Sequence, residues 1–310
     1  MKFLRIIFIS LLFVLIIASA AAYILYAKAN TEVLTLDAAA RKNVSGKFIQ
    51  LSDGVTHYEL AGADTAKLIV LVHGFSVPYY IWDSNFSVLV HAGFRVLRYD
   101  IFGRGFSDRP DKIFEAALFR KQLSELFAAL KIDSVYAIAG VSFGCPVATD
   151  FAINNPATVN KIILIDPVYP GLPGRTDNEN IALYKMSLAP DDMVNGQLTD
   201  LKYPSQFPHW AEEYKIQMQY KGFKRSLLST RFHYAPEDKV IKNYKQLDAL
   251  YKPVLLIWGK EDETVPFKFN DSLRAILHTN FFPVDNARHL PMMEKATVVN
   301  EKIISFLRGN

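Results

Sequence analysis

The chain has 310 residues, half of them apolar, and a formal net charge of +4, which suits one large α/β domain and excludes a mainly disordered protein. It has no dense Lys/Arg run, which excludes the electrostatic footprint of a nucleic-acid binder. The single cysteine, Cys145, excludes an intrachain disulfide and any CxxC metal site.

The first element is an apolar run from Ile6 to Ala27, preceded by Lys2 and Arg5. As a helix it is long enough to cross a bilayer, and the leading charges favour a cytoplasmic N-terminus with the rest of the chain outside. The competing reading is a cleaved signal peptide, with Ile6–Ile17 as its apolar region and Ala18-Ser19-Ala20 as the cleavage site. The run continues through Tyr23-Ile24-Leu25-Tyr26, which favours an uncleaved anchor. Residues 1–29 are therefore expected to be an anchor or signal peptide, and either exports the body at 30–310.

Asn30 to Lys47 read as a linker. Phe48–Leu51 and Val55–Leu60 flank Asp53-Gly54, a hairpin signal. Lys67–Val72 is a continuous apolar run, as in a strand covered on both faces. A helix is expected at about Asp83–Ala92, a strand at Arg95–Tyr99, and a helix where Leu123, Leu126, Phe127 and Leu130 recur at helical spacing. Ser134–Ala139 reads as a buried strand running into a helix from Phe143 to about Asn154, and Lys161–Ile165 as the next strand. From about Tyr169 to Leu250 the alternation stops, and the stretch reads as a helical cap insert. The core resumes with a strand at Val254–Trp258, a helix near Phe267–Leu277, a strand at Asn280–Val284 and a final helix near Ala296–Leu307. This alternation predicts a mostly parallel central sheet with helices on both faces.

Gly140-Val141-Ser142-Phe143-Gly144 falls at the turn from strand to helix. Such a turn presents the central serine, and small residues beside it avoid collisions with the neighbouring backbone. The free N–H groups of the following helix face the place where negative charge develops. A serine hydroxyl needs a base, and the base needs an orienting acid. Among seven histidines, His289 lies just after the last predicted strand, and Asp262 just after the preceding one. In a parallel sheet both loops emerge at the carboxyl edge, as Ser142 does. Asp166, at the end of the strand after the serine turn, is the rival acid. His73 is expected to orient the loop before Phe75, and Asp100 and Arg104 to fix loop geometry. Cys145 is read as a small buried filler.

The order Ser142, Asp262, His289, together with His73-Gly74-Phe75, Asp100-Ile101-Phe102-Gly103-Arg104-Gly105-Phe106-Ser107 and the serine turn, resembles the α/β-hydrolase fold family from about Phe48 to the end. The resemblance implies that the backbone N–H groups of Phe75 and Phe143 form an oxyanion hole. With its N-terminal segment the chain resembles the family's membrane-anchored monoacylglycerol lipases and carboxylesterases. A serine at the turn, rather than aspartate, argues against epoxide hydrolases and haloalkane dehalogenases. The expected activity is hydrolysis of carboxylic esters, lipid-derived ones in view of the anchor and the aromatic, Met-containing insert. The substrate is then a small-molecule ester or lipid, the membrane is a partner through residues 1–29, and no metal or organic cofactor is required. Two other readings remain: a carbon–carbon bond hydrolase of ring-cleavage products using the same three residues, and a binding protein that kept the fold without the chemistry.

Overall fold

The computed structural model describes residues 2–170, 178–234 and 237–309. The first element, α1 (Lys2–Ala29), is a 28-residue helix with no buried residue. It is about 42 Å long and is the one described helix long and apolar enough to cross a membrane. A single turn, α2 (Ala38–Arg41), follows, with the Asp37 side chain accepting the N–H of Ala40 as its cap.

The hairpin β1 (Lys47–Leu51) and β2 (Gly54–Ala61) leads into β3 (Leu68–Val72), α3 (Asp83–His91), β4 (Arg95–Tyr99) and α4 (Ala116–Leu130). Next come β5 (Val135–Val141), α5 (Gly144–Asn154) and β6 (Val159–Ile165). A helical stretch contains α6 (Glu179–Leu188), α7 (Pro190–Thr199), α8 (Trp210–Met218), α9 (Phe223–His233) and α10 (Glu237–Asp248). The chain closes with β7 (Val254–Gly259), α11 (Phe269–Arg274), β8 (Asn280–Val284), α12 (Pro291–Glu294) and α13 (Ala296–Arg308).

The eight strands form one sheet in the order β1-β2-β4-β3-β5-β6-β7-β8. Only the β1–β2 and β2–β4 pairs are antiparallel. Helices on both faces explain the unbroken apolar strands. All five residues of β3 are buried. Leu68, Val70 and Val72 enter one apolar cluster with α4, α5 and α10, while Ile69 and Leu71 enter the other with α3 and α13.

Two findings refine the sequence reading. The expected cap stretch is helical in its described residues, but α10 packs on α5 of the core rather than joining α6–α9. Its Val240, Tyr244 and Leu247 are apolar at helical spacing and fill the cluster under the sheet. The segment read as a linker is fastened to the cap at its start. Leu34 bridges Tyr220, and Glu32 accepts the N–H groups of Gly222 and Lys224 at the start of α9 at 3.1 and 2.5 Å. An acidic side chain over unsatisfied helix N–H groups is a favourable cap, and nothing local in the sequence signals it.

Candidate active site

Ser142 follows β5 with φ +52°, in the left-handed region that a residue with a side chain adopts only under local constraint. The constraint is the close passage of backbones. A Cβ on Gly144 would lie 2.3 Å from the Val72 carbonyl oxygen, and one on Gly140 would lie 2.4 Å from the carbonyl of Gly144. The Ser142 N–H donates to the Ile165 carbonyl at 2.8 Å, tying the turn to β6. Cys145 is fully buried, and burial pushes its thiol pKa well up.

The loop after β3 lies against this turn, with Gly74 packed beside Ser142. The Ile101 N–H donates to His73 Nε2 at 2.9 Å, so Nδ1 carries the proton and donates to the Gly74 carbonyl at 2.8 Å. Burial lowers the pKa of His73 to about 4 and keeps it neutral. Holding the Gly74 oxygen turns the N–H of the same peptide, that of Phe75, the opposite way. Neither the Phe75 N–H nor the Phe143 N–H has an acceptor among the described residues.

His289 is carried after β8 and Asp262 after β7. Asp262 Oδ2 accepts from His289 Nδ1 at 2.8 Å, and Oδ1 accepts the N–H groups of Thr264 and Val265, each at 2.9 Å. Burial acts to lower the pKa of His289, but the Asp262 carboxylate, helped by Asp200, outweighs it and raises the value to about 9. Asp166, the rival acid, directly follows β6 and is fully buried. Its Oδ1 accepts the Gly259 N–H at 2.9 Å, and burial beside Asp262 pushes its pKa well up, which favours the neutral acid. Asp166, Asp262 and His289 could offer three ligand atoms within 4.8 Å of one another. Both Asp262 oxygens and Asp166 Oδ1 are already engaged by protein N–H groups, however.

Ser142 opens onto two chambers. One, of about 330 Å³, is lined by His289, by the polar side chains Ser76, Gln197, Asp200 and Thr264, and by apolar ones that include Val77, Ile81 and Leu290. The other, of about 320 Å³, is lined mainly by Phe143, Pro146, Val168, Tyr169, Tyr234 and Val265, with Arg231 among its residues. Ser142 and His289 share the first chamber without a direct hydrogen bond. A larger hollow of about 750 Å³, lined by Arg120, Asp150 and Lys242 among others, carries none of these residues.

The five residues singled out as catalytic or oxyanion-forming, Ser142, Asp262, His289, Phe75 and Phe143, thus gather at one edge of the sheet. Sequence reasoning missed the cap residues Gln197 and Asp200. Asp200 gives its carbonyl to the His289 N–H at 3.1 Å and its Oδ1 to the Thr264 hydroxyl at 2.5 Å. It sits just past α7 in a stretch without strong periodicity, and no local signal marks it.

A sequence profile described as "Alpha/beta hydrolase family" matches residues 69–302. The chain is 26% identical to a 2-hydroxy-6-oxononadienedioate/2-hydroxy-6-oxononatrienedioate hydrolase of Cupriavidus pinatubonensis, over 86% of this chain and 96% of that one. It is 23% identical to carboxylesterase YbfK of Bacillus subtilis, over 84% and 87%. Among solved structures, a thermophilic esterase from Thermogutta terrifontis superposes with a TM-score of 0.73 at 21% identity, covering 85% of this chain and 99% of that one.

Proposed function

This chain belongs to the alpha/beta hydrolase family, and we propose that within it the chain is a serine ester hydrolase acting on lipid-derived carboxylic esters. The observation that supports the reading is Ser142, held in its tight turn, opening on a chamber with the Asp262-oriented imidazole while the neighbouring Phe75 and Phe143 N–H groups have no acceptor among the described residues.

Ser142 Oγ attacks the ester carbonyl as His289 Nε2 takes its proton. The carbonyl oxygen becomes an oxyanion held by the N–H groups of Phe75 and Phe143. Asp262 keeps the imidazole oriented and favours its charged form. His289 then protonates the departing alcohol, leaving an acyl group on Ser142. Water, deprotonated by His289, attacks the acyl-enzyme, and the carboxylic acid leaves as Ser142 recovers its proton.

This sequence of steps assigns the chambers. The general acid must reach the leaving oxygen, so the alcohol occupies the chamber of mixed lining that holds His289. The acyl chain then occupies the apolar chamber. Each methylene buried there contributes up to about 0.8 kcal/mol, so specificity rises with acyl length and levels off when the chamber is full. The helix α1 anchors the body to the membrane with the N-terminus cytoplasmic and the site outside, or is removed as a signal peptide after export.

A second reading, carbon–carbon bond hydrolysis, draws on the likeness to the Cupriavidus hydrolase. Asp200 lines the same chamber as His289 and in its ionised form repels a dianionic substrate there, although burial raises its pKa and favours the neutral acid. The experiment is hydrolysis of p-nitrophenyl esters from acetate to dodecanoate beside a ring-cleavage dienoate. A rise in kcat/KM toward medium chains is expected. Strict acetate preference defeats the lipid reading, and turnover of the dienoate alone replaces it with the second. A protein inert to every ester, to the dienoate and to a fluorophosphonate is a binding protein.

A further inference from the structure

Arg104, in the loop after β4, is fully buried, and no carboxylate pairs with it among the described residues. Its Nε donates to the Phe75 carbonyl at 2.7 Å. Nη1 donates to the Phe102 carbonyl at 3.2 Å and to the Thr230 hydroxyl of α9 at 3.0 Å, while Nη2 has no partner. The rings of Phe75, Phe119 and Phe143 stand 5.3, 5.8 and 5.9 Å from the guanidinium carbon. Burial lowers its pKa to about 9, and it remains cationic at neutral pH.

An unpaired cation in an apolar core is costly, and aromatic faces offset only part of the cost. The hydrogen bonds alone do not account for it, because a neutral donor serves carbonyls equally well. The position does. Two of the three rings around the guanidinium belong to Phe75 and Phe143, which line the chambers at Ser142 and whose N–H groups have no acceptor among the described residues. A fixed cation there is ill-matched to the neutral resting ester and well-matched to the anion formed during attack.

Resting on the serine-hydrolase reading, we propose that Arg104 is a positioning residue for the oxyanion: it clamps the Phe75 loop through that residue's carbonyl and holds a buried positive charge behind the two N–H donors. The charge acts on the transition state far more than on the bound ester, so it raises kcat and leaves KM nearly alone. The Thr230 contact makes cap helix α9 part of the same clamp.

The test uses the full chain with Arg104→Gln and Arg104→Lys. Fluorophosphonate labelling of the wild type decides the underlying reading separately, since an unlabelled wild type removes that reading whatever the variants do. Measured for each protein are kcat and KM on a butyrate ester, and inhibition by a trifluoromethyl ketone, which adds to the serine as an anion, and by the matching methyl ketone, which stays neutral. Arg104→Gln is expected to lower kcat at least tenfold with KM within threefold, and to weaken the trifluoromethyl ketone by a similar factor while sparing the methyl ketone. Arg104→Lys is expected to recover most of the loss. A folded Arg104→Gln with wild-type kcat, or equal loss for both ketones, overturns the proposal, as does Arg104→Lys impaired as deeply as Arg104→Gln. Where Arg104→Gln does not fold, Arg104→Lys decides: retained preference for the charged adduct upholds the proposal, and lost preference overturns it.

Discussion

Asp166 and Asp262 place carboxyl oxygens within 4.8 Å of each other in the core, yet only Asp262 hydrogen-bonds His289. The two follow neighbouring parallel strands, β6 and β7. Asp262→Asn is therefore expected to lower kcat/KM by at least a hundredfold, since an amide cannot balance an imidazolium as a carboxylate does. Asp166→Asn keeps an acceptor for the Gly259 N–H and is expected to cost less than tenfold. Steady-state kinetics on a soluble ester checks both, and the reverse ranking would move the acid role to Asp166.

The pH profile follows from the same pair. His289 acts as a base only when neutral, and its pKa is raised from the ordinary 6.5 to about 9. Activity is expected to fall as pH drops through a limb lying above 6.5. Asp262→Asn and Asp200→Asn each remove a charge that favours the imidazolium, and should move the limb to lower pH. A limb at or below 6.5 in the wild type contradicts this. The raised value also stabilises the fold, fully below pH 6.5 and with loss as pH rises through about 9.

Covalent labelling separates Ser142 from its neighbour Cys145. Ser142→Ala is expected to abolish fluorophosphonate labelling with an unchanged melting temperature. Cys145→Ala should leave labelling near normal, because the thiol is buried with its Sγ 3.1 Å from the Gly140 carbonyl oxygen. Labelling that follows Cys145 instead reverses the assignment.

Two glycines should respond in opposite directions to alanine. At Gly144 the new Cβ meets the carbonyl oxygens of Val72 and His73 at 2.3 and 2.5 Å, backbone atoms that cannot rotate away. Gly144→Ala is expected to destabilise by about 3 kcal/mol or more. Gly196 lies inside α7 with open space around its Cβ position, so Gly196→Ala should stabilise by about 0.5–1 kcal/mol. Thermal unfolding distinguishes the two, and equal effects would contradict the backbone packing at the turn.

Removing residues 2–27 is expected to leave activity on small soluble esters intact, because none of those residues reaches Ser142. Extending the deletion through Leu34 removes the Glu32 cap and the Leu34–Tyr220 bridge. The cap should then loosen, and Glu32→Ala alone should cost about 1 kcal/mol. Hydrogen exchange across residues 223–233 reads this directly. Unchanged protection in the longer deletion would show that the contact carries no stability.

The sequence by itself determined the strand–helix alternation and the placing of Ser142 at a tight turn. It also determined that Asp262 and His289 leave the sheet at the same edge. These features are written in short apolar runs, in glycines that close approach requires, and in the topology of parallel strands. Only the tertiary structure decided which of Asp166 and Asp262 reaches His289, since both follow adjacent strands, Asp166 directly after β6 and Asp262 in the loop after β7, and no local pattern says which loop position meets the imidazole. It also turned the segment after α1 from a linker into a strap on the cap, sent α10 to the core, and brought Asp200 and Arg104 to the site. Those outcomes depend on contacts between residues far apart in sequence, such as Glu32 with Lys224 and Arg104 with Thr230, for which periodicity and local propensity carry no signal.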